Sequence, residues 1–170
     1  MSFPVQEAWT TLPNQVAKAY AEVIIESAGS LNVFGASFLF VSVTPTNATG
    51  ANSGFGIQPF VYLSDGSAQT NSILLPPSGV GPVFPVDSLP IMLNFAYDQA
   101  GGNLWIGQND VWIGGGDPAT GRSPTLTGLS GTVYVAIRTG NGVRASLIGA
   151  FNNGEFSYSL PSGFSSWSGQ

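Results

Sequence analysis

The stretch NLWIGQNDVWIGGGDPATGR, residues 103–122, sets two tryptophans seven positions apart, runs through three consecutive glycines and closes on Asp-Pro-Ala-Thr-Gly-Arg. Asn103 to Gly107 and Val111 to Ile113 are apolar, aromatic and β-branched, and Gln108-Asn109-Asp110 between them is turn material. An even-numbered hairpin loop predicts Trp105 and Trp112 on one face, with Leu104, Ile106, Val111 and Ile113 on the other. The second face is core. The indoles are expected mainly to fill space against a neighbouring sheet or the N-terminal segment, burying roughly 150 to 250 Å² each. The alternative is an aromatic platform for a sugar ring or a partner's side chain.

Outward from this hairpin the dominant period is two. AYAEVIIES (19–27), FGASFLFVSV (34–43), GIQPFVYLS (56–64), IMLNFAYD (91–98), TVYVAIRT (132–139) and ASLIGAF (145–151) are short runs rich in Val, Ile, Phe and Tyr, and they are predicted strands. The intervening segments are rich in Gly, Pro, Asn, Asp and Ser, which suit turns and oppose helix. LPNQVAKAYAEV (12–23) is the one stretch with helical character, and it competes with the strand from Ala19 onward. Short strands without crossover helices, among 23 glycines and 12 prolines, predict an all-β antiparallel sandwich. One domain is expected over 19–170, with 1–18 as an N-terminal arm. Two long segments, 44–56 and 64–90, are expected as loops ordered by contact, with Phe84 among their apolar residues.

Composition narrows the chemistry. The 170 residues suffice for a buried core without staples. With no cysteine and no histidine, the chain lacks disulfides, thiolate nucleophiles, zinc-thiolate sites and the commonest general base. Four basic residues (Lys18, Arg122, Arg138, Arg144) against nine acidic ones give a net charge of −5, so no basic stripe is available for nucleic acid. The N-terminus has no uninterrupted apolar run of the signal-peptide kind, and no stretch approaches a membrane span. Synthesis and retention in a cytoplasm are expected. No cofactor or metal is expected; Asp117 with backbone carbonyls is the one place considered for calcium.

Gly116-Asp117-Pro118-Ala119-Thr120-Gly121-Arg122-Ser123 has the spacing of a phosphate-binding P-loop with Arg in place of Lys. Such a loop needs a helix behind it to hold the phosphate. Pro124 and TLTGLSG follow instead, so a structured loop between strands is expected.

The order GGNLWIGQNDVWIGGGDPATGRSPTLTGLSGTVYVAI, followed by a further strand and a closing YSLPSGF, resembles the SPRY domain family, especially its tailed-phage and prophage version. Tyr20-Ala21-Glu22-Val23 is similar to the family's early Tyr-x-Glu-Val strand, and Tyr62-Leu63-Ser64-Asp65-Gly66 to its Tyr-x-x-(Asn/Asp)-Gly segment. The resemblance covers roughly residues 18 to 167 and is strongest from 93 to 137. It implies two packed antiparallel sheets of the concanavalin-like jelly-roll kind. Asp110 stands where the family usually has Gly, which predicts a hairpin turn that is longer or differently placed.

SPRY domains are generally binding modules, so the resemblance implies a non-catalytic protein. Glycosidases on related jelly rolls need two carboxylates about 5 to 9 Å apart. Here Glu22 and Glu26 share a face only if 19–27 is a regular strand. The expected function is a structural and binding component of a tailed-phage virion, as capsid decoration or tail appendage. Its partners would be other virion proteins and copies of itself, with no nucleic acid and no membrane. A carbohydrate-binding module recognising a surface glycan is the second reading, and a cytoplasmic protein-binding adaptor the third. Candidate binding residues are Trp105, Trp112, Asn109, Asp110, Tyr62, Asp65 and Phe84.

Overall fold

From Lys18 the side chains alternate between Ala19, Ala21 and Val23 on one face and Tyr20 and Glu22 on the other, the period of an extended strand. The computed structural model describes residues 7–28, 38–44, 60–63, 72–74, 84–85, 90–140 and 145–170. They form β1 (Glu7–Pro13), β2 (Lys18–Ala28), β3 (Phe38–Thr44), β4 (Phe60–Leu63), β5 (Ser72–Leu74), β6 (Phe84–Pro85), β7 (Ile91–Asp98), β8 (Asn103–Gln108), β9 (Val111–Trp112), β10 (Tyr134–Gly140), β11 (Ala145–Ala150) and β12 (Ser165–Ser166). A short 3₁₀ turn covers Ile113–Gly115. Two sheets result. The first has the order β1-β10-β3-β4-β5-β6, and the second β11-β2-β7-β8-β9, with β12 added beside β2. All pairings are antiparallel except that of β12 with β2.

The main core lies between the sheets. Ala19, Ala21, Val23, Leu93, Phe95, Tyr97, Leu104 and Ile106 come from the second sheet, and Val43 and Val135 from the first. Each is essentially closed to water. A second apolar cluster sits on the outer face of the second sheet, where Tyr20, Ala96 and Trp105 pack under Phe164 with Phe156, Leu160 and Trp112. The C-terminal segment thus covers an outer face that would otherwise expose aromatic rings.

The predicted antiparallel sandwich is the fold observed. The helical alternative over 12–23 gives way to the end of β1, a short connection and β2. Asn14 explains the break. Its side chain accepts from the Val133 N–H (2.8 Å) and donates to the Val16 carbonyl (2.9 Å) and Gln99 (3.2 Å), fixing a buried corner between β1 and β2. The segment expected as an arm contributes β1, which pairs with β10 from Glu7 to Pro13. Within 64–90 lie β5, β6 and Pro90; most of that segment, and 45–56, fall outside the described residues.

The hairpin is tighter than the Asp110 substitution predicts. β8 runs on to Gln108, which pairs with Val111, so Asn109 and Asp110 alone make the turn. Both have positive φ, 49° and 65°, the geometry of a type I′ turn. Asn and Asp tolerate that region better than other residues with side chains. Val111 is the other correction: it sits at the sheet's margin and is 58% exposed, not part of the core. Ile113 does reach the core, but from the 3₁₀ turn.

Candidate functional site

The β8–β9 turn is braced from beneath. Asn109 exchanges two bonds with Met92: its N–H donates to the Met92 carbonyl (2.9 Å) and its Oδ1 accepts from the Met92 N–H (3.1 Å). The Asp110 N–H donates to Oδ1 of Asn94 (3.0 Å), which is fully buried. The turn therefore presents Asn109, Asp110 and Val111 to solvent on a fixed backbone. Gly107 completes the arrangement. It pairs with Trp112, and a Cβ there would lie 3.2 Å from the indole, so a bare backbone lets the ring lie across β8.

Asn94 also connects the turn to a buried polar chain. Its Nδ2 donates to the Tyr20 hydroxyl (2.9 Å), which donates to Oε1 of Glu22 (2.8 Å). The Glu22 carboxylate is closed to water and receives the N–H groups of Ser157 (2.7 Å) and Tyr158 (3.0 Å). Glu22 thereby pins the C-terminal segment to the outer sheet face. The regular strand that Glu22 and Glu26 would need to share a face is interrupted at Glu26: Ser146 pairs with Ser27 and Leu147 with Ile25, so Glu26 is the bulged residue. Glu26 is exposed and Glu22 is not.

Burial, reinforced by the bond to Glu22, raises the Tyr20 hydroxyl far above the ordinary tyrosine range; burial also raises Tyr97, whose hydroxyl donates to the Gly131 carbonyl. Both folded values lie above the unfolded ones. The stability they contribute is present in full below the unfolded tyrosine value of about 10 and is lost as pH climbs past it. The melting temperature is expected to fall above about pH 10, with tyrosinate absorbance from Tyr20 appearing only on unfolding. Ionisation of all five tyrosines in the folded protein would contradict this.

Trp105 is a structural residue. It is 1% exposed, meets Phe164 edge-on at 6.3 Å, and donates its indole N–H to the Arg122 carbonyl (2.8 Å). That bond fastens the P-loop-like segment, which closes on itself: Asp117 and Arg122 pair through their backbones (2.9 and 3.0 Å), and the Asp117 carboxylate accepts from the Thr120 hydroxyl (2.7 Å) and the Ala119 N–H (3.0 Å). The Thr120 hydroxyl, chiefly, holds that carboxyl below its usual range. The loop expected in place of a phosphate cradle is what forms. Among the described residues no group of three or more acidic side chains is placed to hold a metal.

The candidate residues that lie on described strands are divided between the two sheets. Trp105, Trp112, Asn109 and Asp110 share one hairpin, with Trp112 half-buried edge-on to Tyr20 at a centroid distance of 6.4 Å. Trp105 is a correction, because a buried ring with its N–H engaged can support a contact surface but not form one. Tyr62 lies on β4, paired with Phe40 and Ser72, and Phe84 on β6, paired with Ile73, both in the other sheet. Asp65 lies outside the described residues. The buried Asn94 was not anticipated; its sequence signal is a single polar residue inside the apolar run IMLNFAYD.

This two-sheet sandwich is the fold of SPRY domains. The chain is similar in structure to the crystal structure of the SPRY domain of human HERC1, with a TM-score of 0.51 and 8% sequence identity, over 88% of this chain and 84% of that one. No protein-family model and no curated protein matches the chain.

Proposed function

We propose that the chain is a non-catalytic protein-binding module serving as a structural component of a tailed-phage virion, as capsid decoration or tail appendage. The observation that carries the binding reading is the exposed Asn109–Asp110–Val111 turn, held rigid by Asn94 and Met92. A fixed, partly apolar projection loses little conformational freedom on contact, which favours association. The SPRY-like fold supports the same reading, since that fold generally serves protein binding. The virion context rests on the resemblance of residues 93–137 to the phage-type version of the family. Against catalysis, Glu22 is buried with its oxygens engaged, and Glu26 is exposed at the bulge.

Val111→Lys places a charge at the apolar point of the turn without touching the core. Particles should then retain the variant about tenfold less well, equivalent to about 1.4 kcal/mol, with unchanged melting. Retention of the wild-type protein should survive a rise in sodium chloride from about 0.1 M to about 1 M, since screening weakens exposed ion pairs and spares apolar burial. Wild-type protein absent from purified particles at any salt would overturn the virion assignment. Undiminished retention of Val111→Lys would move the contact surface off this turn.

A further inference from the structure

Among the described residues the two sheets end on four strands, β1, β6, β9 and β11, and three of these carry features that discourage strand addition. β1 begins at Glu7 and ends at Pro13, with an irregular register after Thr10; β6 is two residues long and contains Pro85; β9 is two residues long and runs into the 3₁₀ turn. Short strands, charge and proline are the usual means by which sheet edges avoid pairing with another chain. β11 has none of them. It is six residues, ASLIGA, without charge or proline. Its bulge partner Glu26 belongs to β2, so β11 itself runs regularly from Ala145 to Ala150.

The side chains at this edge indicate what would cover it. Met92 pairs with Ile24 and Ile24 with Ile148, so one apolar row crosses β7, β2 and β11 on the outer face. Exposure rises along it, from 8% at Met92 through half-buried Ile24 to 49% at Ile148. We propose that a second copy of this chain pairs antiparallel along β11, joining two outer sheets about a two-fold axis with Ile148 opposite Ile148 of the other copy. Same-face pairing requires partners of equal parity, and centring on Ile148 then sets Leu147 against Gly149 and Ser146 against Ala150. The apolar row continues unbroken as Met92, Ile24, Ile148 and the same three residues reversed. A second copy fits because the contact is self-complementary and because a chain of net charge −5 meets itself along a strand with no charge. This contact lies apart from the β8–β9 turn and stands whether or not that turn binds a protein.

The chain has no cysteine, so one introduced thiol reports on one position. Directly opposed Cβ atoms in an antiparallel pair lie about 4.5 to 5.5 Å apart, close to disulfide reach. Under mild oxidation Ile148→Cys should form a symmetric disulfide dimer at least about tenfold faster than Ala119→Cys, an exposed turn position. Sedimentation of the wild-type protein should show a concentration-dependent dimer between micromolar and millimolar, and Ile148→Lys, which sets like charges across the axis, should abolish it. A wild-type protein that stays monomeric throughout, equal oxidation rates at 148 and 119, or a dimer that persists in a folded Ile148→Lys variant would each overturn the proposal. Should Ile148→Lys not fold, the oxidation rates decide.

Discussion

Trp105→Ala is expected to destabilise the protein by about 3 to 5 kcal/mol, in the range for a buried large aromatic, and Trp112→Ala by clearly less. The two indoles stand on neighbouring strands and on the same side of the sheet, yet their surroundings differ. Trp105 is 1% exposed among Tyr20, Ala96 and Phe164 and has a hydrogen bond through its ring N–H, so its removal opens a cavity, leaves the Arg122 carbonyl short of a donor and frees the 116–123 loop. Trp112 is half-buried at the sheet's margin and keeps one edge-on contact with Tyr20. Surrounding atoms and water can fill much of the space it vacates. Urea denaturation of the two variants measures the difference. Equal losses, or a Trp105→Ala loss below about 1 kcal/mol, would show that the second cluster contributes little to stability.

The hairpin that bears these residues was legible because its signals are local. Two apolar runs around Asn-Asp define the strands, and period two then assigns the faces correctly for Leu104, Trp105, Ile106 and Trp112. What the pattern misjudged was depth. Val111 obeys the alternation but lies on a two-residue strand that has no strand beyond it among the described residues, and periodicity carries no information about where a sheet stops. β1 and β12 were missed for a related reason: EAWTTLP and the Ser165–Ser166 pair have weak strand patterns and are held by distant partners, β10 and β2. The helical alternative at 12–23 failed for the same cause, since the long-range bonds of Asn14 to Val133 and Gln99 override local preference. The Glu22 network was half visible. Tyr20 and Glu22 share a strand face in the sequence, but their partners Asn94, Ser157 and Tyr158 are supplied by the fold.

That network yields the second large effect. Glu22→Gln, although nearly isosteric, is expected to cost about 2 to 4 kcal/mol, and Glu22→Ala more. The reason is the sign of every contact. Oε1 accepts from the Tyr20 hydroxyl and the Tyr158 N–H, and Oε2 accepts from the Ser157 N–H, so the carboxylate meets only donors. An amide placed there turns its NH₂ toward a donor in either orientation, leaving at least one buried N–H unpaired. No ion pair reaches Glu22 among the described residues, so these hydrogen bonds carry the stabilisation of its charge. Release should begin at residues 157 and 158 and spread through the segment that sets Phe156, Leu160 and Phe164 over Tyr20 and Trp105. Limited proteolysis should therefore cut Glu22→Gln between 152 and 164 under conditions that leave the wild-type protein intact. Tyr20→Phe should cost less by itself, about 1 to 2 kcal/mol, because it removes one donor to Glu22 and the acceptor of Asn94 but keeps both backbone bonds. Since the two residues share a hydrogen bond, the double variant should fall short of the summed losses by about 0.5 to 3 kcal/mol. Strict additivity, or a Glu22→Gln protein that melts and resists protease as the wild type does, would mean that the C-terminal segment is held by its aromatic contacts and that the buried carboxylate is not its anchor.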